Sequence, residues 1–316
     1  MSRPIIAVLG ATGAQGGGLA QAILEDPARR FALRALTRRP DSAPAKALAA
    51  QGADVVAGDL DDESSLVAAF TGAHGVYGVT NYWELLSPER EVAQAANIAR
   101  AARQAGARHV IWSTLEDTRK FVPLDDPRMP TLKGKYKVPH FDAKGEADAF
   151  FAGLPVTYLR AAFYWDNLIH FGQGPRRDAE GKLVFVLPMG NRRMPGIAAA
   201  DIGSCAFALF AQGENAIGRT VGIAGEHLTG AEMAAELTRA LGEPVTHYAM
   251  PFAEFAKLGF PGADDLANMF HFYHDFAERF CAARPVEETR KLHPVLQTFR
   301  QWLERNVQKV PVPQAA

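Results

Sequence analysis

The first third of the chain repeats one pattern, in which a short apolar run is followed by a stretch with apolar positions every three to four residues. Short apolar runs predict buried strands, and the longer spacing predicts helices packed on a sheet. The predicted strands lie near residues 5–9, 31–36, 53–60, 75–83 and 109–115, and the predicted helices near 19–24, 43–52, 62–71 and 88–105. This alternation predicts an α/β fold with a doubly wound parallel sheet, the Rossmann architecture.

The alternation stops over residues 120–139, where four prolines lie among charged residues. We expect a mobile loop there, with few apolar anchors. A helix over 140–152 and a strand over 156–164 then close the sheet, and helices near 229–241, 251–257, 263–282 and 298–306 follow. The chain length predicts a dinucleotide-binding domain over 1–155, with later strands returning within about 156–225, and a smaller C-terminal α/β lobe mainly over 156–316.

A glycine motif, G-x-x-G-x-x-G, joins the first predicted strand to the first helix. Gly10 lets the chain reverse, Gly13 lets the backbone approach a pyrophosphate, and Gly16 brings the helix close to the strand. Free N–H groups at a helix N-terminus bind anions, and Thr12 and Gln15 can add side-chain donors. The motif therefore predicts dinucleotide binding.

The end of the second predicted strand indicates which dinucleotide is bound. An NAD site usually has a carboxylate there, whereas an arginine can pair with a 2′-phosphate. This chain has Arg38 and Arg39, and Asp41 follows a proline that directs the chain away. The position favours NADP(H), although the two arginines could simply end a strand in solvent.

Composition narrows the classes of partner. The chain has 316 residues, 34 basic and 35 acidic side chains and a net charge of −1, so no basic patch favours direct nucleic-acid binding. Cys205 and Cys281 are too few for a disulfide framework, and we expect two plain thiols. Without a signal segment or a long apolar span, we expect a cytoplasmic protein that does not bind membranes.

Five segments together carry a resemblance to a known family. They are GATGAQGG at 10–17, VTNYWE at 79–84, HFDAKGE at 140–146, FYWDNL at 163–168 and LGFPGADDLANMF at 258–270. The combination resembles the NmrA-like family, an atypical branch of the short-chain dehydrogenases, and in particular its HSCARG-type NADPH-sensor members.

The resemblance implies a cofactor-binding role for residues along most of the chain. For the pyrophosphate these are Gly10, Thr12, Gly13, Ala14 and Gln15. For the adenosine end they are Arg38 on the 2′-phosphate and Asp59 and Leu60 beside the adenine. For the nicotinamide end they are Thr80, Asn81, Tyr82, Lys144 on the ribose, Tyr164, Trp165, Asp166 and Asn167.

One residue departs from the working short-chain dehydrogenases, which use Tyr-x-x-x-Lys on a helix face to protonate a carbonyl. Here the motif reads His140-Phe-Asp-Ala-Lys144, so the lysine is kept and the tyrosine is lost. Ser113 could still polarise a substrate oxygen. The ammonium of Lys144 disfavours a second positive charge nearby, and a neutral imidazole is a poor proton donor. We expect His140 to fill the former catalytic position, and no catalytic residue is assigned.

These observations favour an NADP(H) sensor or regulator that changes its loops or its association with a protein partner. The alternative is an NADPH-dependent reductase of a carbonyl or quinone, and a regulator linked to transcription through protein contacts is a third, weaker interpretation. A second copy of the chain is a further candidate partner. We expect no metal site, because the polar face formed by His271, His274, Asp275 and Glu278 has no second group of ligands.

Overall fold

A computed structural model describes residues 3–313, which form two compact units. Unit 1 contains the chain up to Asp117 together with His140–Ala161 and Ala200–Val221. Unit 2 contains Thr118–Pro139, Ala162–Ala199 and the chain from Gly222 onward.

The strands and helices of the described residues follow the chain in this order. The strands are β1 (Ile5–Val8), β2 (Ala32–Thr37), β3 (Asp54–Ala57), β4 (Gly75–Gly78), β5 (His109–Thr114), β6 (Val156–Arg160), β7 (Phe163–Tyr164), β8 (Arg176–Arg177), β9 (Leu183–Val186), β10 (Met194–Ile197), β11 (Thr220–Gly222), β12 (Glu226–Leu228) and β13 (Val245–Tyr248). The helices are α1 (Ala14–Leu24), α2 (Ala43–Ala50), α3 (Glu63–Phe70), α4 (Pro88–Gln104), α5 (Pro139–Ala147), α6 (Asn167–His170), α7 (Ala199–Gln212), α8 (Gly230–Leu241), α9 (Phe252–Phe255), α10 (Ala263–Asp275), α11 (Ala277–Ala282), α12 (Val286–Leu292) and α13 (Phe299–Asn306).

One seven-stranded sheet, ordered β11-β6-β5-β4-β1-β2-β3, forms the centre of unit 1. All the neighbouring pairs from β6 to β3 are parallel, and every residue of β4 and β5 is buried. Burial on both faces is typical of a parallel sheet covered by helices. The chain adds β2 and β3 on one side of β1 and then β4 on the other, so the strand order reverses at β1 and β4. Ligands of this architecture bind outside the carboxyl ends of the strands at such a reversal. The predicted Rossmann fold is confirmed.

Local sequence signals set where the helices of unit 1 begin. The side chain of Asp62 accepts hydrogen bonds from the first turn of α3, and Ser87 does the same for α4, which has Pro88 at its first position. Such caps satisfy backbone N–H groups that have no partner inside the helix. The two helices pack on a core in which Trp112 stacks on Phe151 with ring centres 4.6 Å apart.

Unit 2 is also built of strands and helices. It has two three-stranded sheets, ordered β12-β10-β7 and β13-β9-β8. Capping boxes begin α8 at Thr229 and α13 at Thr298. The apolar face of α13 is buried, and the ring centres of Trp302 and Trp165 are 6.4 Å apart, so this helix packs on unit 2.

Three predicted strands are clearly shorter in the structure, and the third of the chain, over 53–60, is β3 (Asp54–Ala57). The fourth ends at Gly78 instead of Trp83, because the reversal at Gly10 removes its neighbour β1, and a 3-10 turn over Tyr82–Glu84 follows. The predicted strand over 156–164 divides into β6 and β7. Its partner β5 ends opposite Arg160, and β7 pairs with β10 in a different sheet.

The expectation of few apolar anchors over 120–139 is wrong. Val122, Met129, Tyr136 and Val138 are each at most 2% exposed. The buried ammonium of Lys137 donates to the carbonyl oxygens of Asp126 and Met129, at 2.9 and 2.5 Å. The side-chain amide of Asn268 on α10 donates to two further carbonyls of the segment. The anchors are spaced irregularly, so periodicity could not reveal them.

Candidate cofactor site

The glycine turn after β1 has the geometry that its sequence predicts. Gly10 has a φ of +64°, a left-handed conformation that L side chains rarely adopt. A Cβ on Gly16 would lie 2.4 Å from the carbonyl oxygen of Gly10, so only glycine lets α1 begin this close to the strand. Gly13 precedes α1, and no side chain caps the helix. The exposed turn therefore presents uncapped backbone N–H groups, which bind anions.

The two polar side chains of the turn point in different directions. Thr12 is exposed, as a pyrophosphate ligand would be. Gln15 is buried, and its side-chain oxygen accepts hydrogen bonds from Tyr77 at 2.5 Å and from Ser113 at 2.8 Å. The Gln15 oxygen therefore links α1 to the strands β4 and β5, and the donor role of its amide nitrogen remains a prediction. Ser113, a candidate for polarising a substrate, donates to this link.

Arg38 lies just after β2 and pairs with a residue that sequence reasoning did not identify. Its guanidinium donates to both oxygens of Glu84, at 2.7 and 3.2 Å. The Glu84 carboxylate raises the pKa of Arg38 above its usual value. Both side chains are about half exposed, so solvent and salt weaken the attraction between them. Arg39 is also exposed.

The loop after β3 is held by its own polar contacts. The backbone N–H of Asp59 donates to Ser65 at 2.9 Å, and the Asp59 carboxylate accepts from the N–H of Asp61 at 3.0 Å. The side chain of Asn97 donates to the carbonyl oxygen of Leu60 at 2.7 Å. These bonds fix the loop at the carboxyl end of β3, where the resemblance implies an adenine contact.

Lys144 on α5 lies in a buried polar cluster with Thr80 and Glu91. Its ammonium donates to the Thr80 hydroxyl at 2.8 Å and lies 3.3 Å from the Glu91 carboxylate and 3.3 Å from the carbonyl oxygen of Ser113. The Thr80 hydroxyl in turn donates to Glu91 at 2.6 Å. The structure thus brings Thr80, Lys144 and Ser113 together and adds a carboxylate.

His140 is 6% exposed and lies among aromatic rings. Its ring centre is 4.8 Å from Trp83, 4.9 Å from Phe141 and 5.7 Å from Tyr82. Asn81, between Thr80 and Tyr82, is exposed. The imidazole therefore packs as one member of an aromatic cluster.

The four remaining predicted residues belong to unit 2. Tyr164 ends β7, and Asn167 begins α6. Trp165 is 1% exposed and packs in the interior of the unit against Phe299, 5.4 Å away. The Asp166 carboxylate accepts from the N–H of Ala199 at 2.8 Å, at the start of α7. Structural roles are therefore visible for Trp165 and Asp166, and their cofactor contacts remain predictions.

Comparison with known proteins assigns the family. The profile of the NmrA-like family matches residues 2–303. The chain belongs to the NmrA-like family. A relative named "NmrA-like family domain-containing oxidoreductase FrzB", from Cladobotryum sp, is 30% identical over 305 residues, which are 90% of this chain and 88% of the relative. A protein named "NAD(P)H azoreductase", from Xenophilus azovorans, is 31% identical over 268 residues, or 84% of each chain.

Solved structures with the same fold include a protein described as a regulator and one described as a reductase. NmrA, described as a negative transcriptional regulator and crystallised with NADP, superposes with a TM-score of 0.77 and 21% identity, covering 98% of this chain and 97% of that one. The triphenylmethane reductase of Citrobacter sp., complexed with NADP(H), gives a TM-score of 0.73 and 21% identity, covering 96% and 99%. At these identities the likeness concerns the fold.

The NmrA-like site contains two carboxylates that sequence reasoning missed. Glu84 ends the VTNYWE segment, so the resemblance included it without a role. Glu91 had a clearer signal, because it lies on the buried stripe of α4 formed by Pro88, Glu91, Ala95, Ile98 and Ala102. A charged residue at an apolar-face position requires a partner, and this could have indicated a buried ion pair.

The remaining candidate groups are the polar face around His271 and His274 and the two cysteines. Among residues 3–313 no cluster of three or more His, Cys, Asp or Glu side chains could hold a metal ion. His271 stacks on Phe252 with ring centres 4.2 Å apart, and Nδ1 of His274 lies 3.0 Å from a carboxylate oxygen of Asp275.

The two cysteines are thiols with raised pKa values. Burial raises the pKa of the Cys205 thiol, and it raises the pKa of the Cys281 thiol to about 11. No helix of the described chain is long and apolar enough to cross a membrane.

Proposed function

We propose that this NmrA-like chain binds NADP(H) on unit 1 and reduces a conjugated, electron-poor acceptor such as a quinone or an azo compound. The observation that carries the proposal is the glycine turn, whose uncapped helix N-terminus suits a pyrophosphate and which shares the sheet edge with Arg38. A Cβ at Gly16 would collide with the turn, so these residues fit a dinucleotide.

Different residues would bind different parts of the cofactor. The backbone of residues 10–16 would bind the pyrophosphate, Arg38 the 2′-phosphate, and the loop at Asp59 and Leu60 the adenine. Thr80, Asn81, Tyr82 and Lys144 would contact the nicotinamide ribose. The bound reduced nicotinamide supplies a hydride.

The chemistry of the acceptor follows from the lost tyrosine. Reduction of an ordinary ketone is assisted by a proton donor near the developing alkoxide. A quinone or azo acceptor delocalises the incoming charge, so it depends less on such a donor. His140 packs among aromatic rings, and the relatives named oxidoreductases and an azoreductase support a reductase function.

A sensor of the HSCARG type is the second candidate. Two observations favour it: His140 stands in the place of the catalytic tyrosine, and a neighbour of the same fold is described as a negative transcriptional regulator. In this alternative NADP(H) is bound without turnover, and the readout is association with a regulatory protein.

The deciding experiment measures NADPH binding by calorimetry and NADPH oxidation with a panel of quinones, azo dyes and simple ketones. We expect turnover of at least about 1 s⁻¹ on one conjugated acceptor, which lies in the ordinary range for enzymes. Binding without turnover on any acceptor would support the sensor. Absence of NADPH binding would contradict both functions.

The variant His140→Tyr separates the two acceptor classes. A phenol one helical turn from Lys144 restores the usual proton donor, and general acid catalysis contributes about 10² to 10⁴ in rate. We expect ketone reduction to rise in the variant while quinone reduction changes little. An equal change for both acceptors would contradict the proposed difference between them.

A further inference from the structure

The cluster around Glu91 contains a buried charge that the proposed site leaves without a role. The Glu91 side chain is 1% exposed and that of Lys144 is 10% exposed. One carboxylate oxygen of Glu91 contacts both Thr80 and Lys144, and the other has no hydrogen-bond partner among the described residues. A buried carboxylate without a nearby cation would be costly, so Lys144 stabilises it.

The same contacts fix the ammonium. An ammonium has three N–H donors, and here three oxygens surround it, from Thr80, Glu91 and Ser113. The ring of Trp112 lies 5.0 Å away and adds a cation–π attraction. Lys144 is therefore held in one position by groups from α4, the loop after β4 and the end of β5.

The three contacts differ in strength. The bond to Thr80 at 2.8 Å is short, and the contact with Glu91 is strengthened by charge. The contact with the neutral carbonyl of Ser113, at 3.3 Å, lies beyond the usual range. It is the contact that a ligand hydroxyl could replace at least cost.

We propose that Glu91 is a positioning residue that holds Lys144, both directly and through Thr80, so that one ammonium N–H can turn from Ser113 to the nicotinamide ribose. This inference rests on the NADP(H) site proposed above. Without the carboxylate the ammonium keeps only neutral acceptors and loses its fixed direction. Glu91 itself touches neither cofactor nor substrate, because its side chain is buried behind Thr80 and Lys144.

The test is a double-mutant cycle on ligand affinity. Glu91→Gln, Lys144→Met and the double variant are titrated with NADPH and with adenosine 2′,5′-bisphosphate, which lacks the nicotinamide ribose. We expect Glu91→Gln to weaken NADPH about tenfold and to leave the bisphosphate within about twofold of wild type. In the Lys144→Met background the same change should alter NADPH affinity less than about twofold.

Stability provides an independent reading that needs no cofactor. Lys144→Met leaves a buried carboxylate without its cation, so its urea midpoint should fall further than that of the double variant. If Lys144→Met does not fold, the double variant should still fold and complete the comparison. The matched control is the exposed pair of Glu288 and Lys291, for which Glu288→Gln and Lys291→Met should change neither affinity nor midpoint.

The outcomes separate this inference from the proposed function. Equal weakening of both ligands by Glu91→Gln, or the same NADPH loss in both backgrounds, would overturn the positioning role while NADPH binding by the wild type stands. A wild type that binds neither ligand would overturn the proposed function and the positioning role together. Even in that case, the urea midpoints of Lys144→Met and of the double variant decide whether Glu91 and Lys144 form an ion pair.

Discussion

Two cation–carboxylate pairs near the carboxyl ends of the parallel strands differ in how far their side chains are exposed to solvent. The side chains of Arg38 and Glu84 are 56% and 42% exposed, whereas those of Lys144 and Glu91 are 10% and 1% exposed. An exposed pair contributes about 0–1 kcal/mol, so either partner can leave for a ligand. Breaking a buried pair leaves a buried charge without a partner and costs about 3–5 kcal/mol. The comparison indicates that Arg38 exchanges partners on binding and that Lys144 keeps its carboxylate.

The largest expected effect is on stability. Lys144→Met should lower the free energy of unfolding by about 3–5 kcal/mol, because Glu91 loses its only close cation in the cluster. Arg38→Met should lower it by less than about 1 kcal/mol. Urea unfolding of both variants at neutral pH measures the difference, and similar losses would remove the basis of the comparison.

The next effect is on cofactor choice. Arg38→Ala should weaken NADPH binding about tenfold or more, because a charge-assisted pair with the 2′-phosphate contributes about 1.5–3 kcal/mol. NADH lacks that phosphate, and its affinity should stay nearly unchanged. Arg39→Ala is the matched control and should have the smaller effect. Equal losses for NADPH and NADH in calorimetry would refute the assignment of Arg38.

A smaller effect is expected at Glu84, which competes with the 2′-phosphate for Arg38. Glu84→Gln should strengthen NADPH binding about two- to fivefold, the range that an exposed ion pair allows. Added salt should reduce the gain, since it screens exposed charges. Glu63→Gln, in the exposed pair with Arg100, is the control. A loss of NADPH affinity in Glu84→Gln would mean that Glu84 orients Arg38 instead of competing for it.

The smallest effect concerns a third cation. Lys137 is buried, and it should behave like Lys144, keeping its carbonyl partners whether or not NADPH is present. Hydrogen exchange of residues 136–138 should be slow without cofactor and change little when it is added. A large rise in protection on adding NADPH would show that the segment orders on binding.

Local signals predicted the fold, and they predicted the backbone of the candidate site. The alternation of apolar runs gave the parallel sheet, and the glycine spacing gave a turn whose geometry at Gly10 and Gly16 only glycine satisfies. Both depend on residues close together in the sequence. The predicted strand over 156–164 is longer than the observed β6, because β6 ends where its partner β5, which is distant in the sequence, also ends.

The side-chain partners of the site could not be predicted in the same way. Arg38 and Glu84 are 46 residues apart. Lys144 meets Thr80 across 64 residues. The side-chain oxygen of Gln15 meets Ser113 across 98 residues. Such pairs depend on which loops the sheet order brings together, and no single segment contains that information.

A crystal structure of the NADP⁺ complex tests the central claim most directly, because it records both pairs at once. We predict that the Arg38 guanidinium leaves Glu84 and lies within hydrogen-bond distance of the 2′-phosphate. Lys144 should keep Glu91 and Thr80 while one N–H turns from Ser113 to the nicotinamide ribose. Arg38 still on Glu84 with the 2′-phosphate elsewhere, or Lys144 separated from Glu91, would contradict the account.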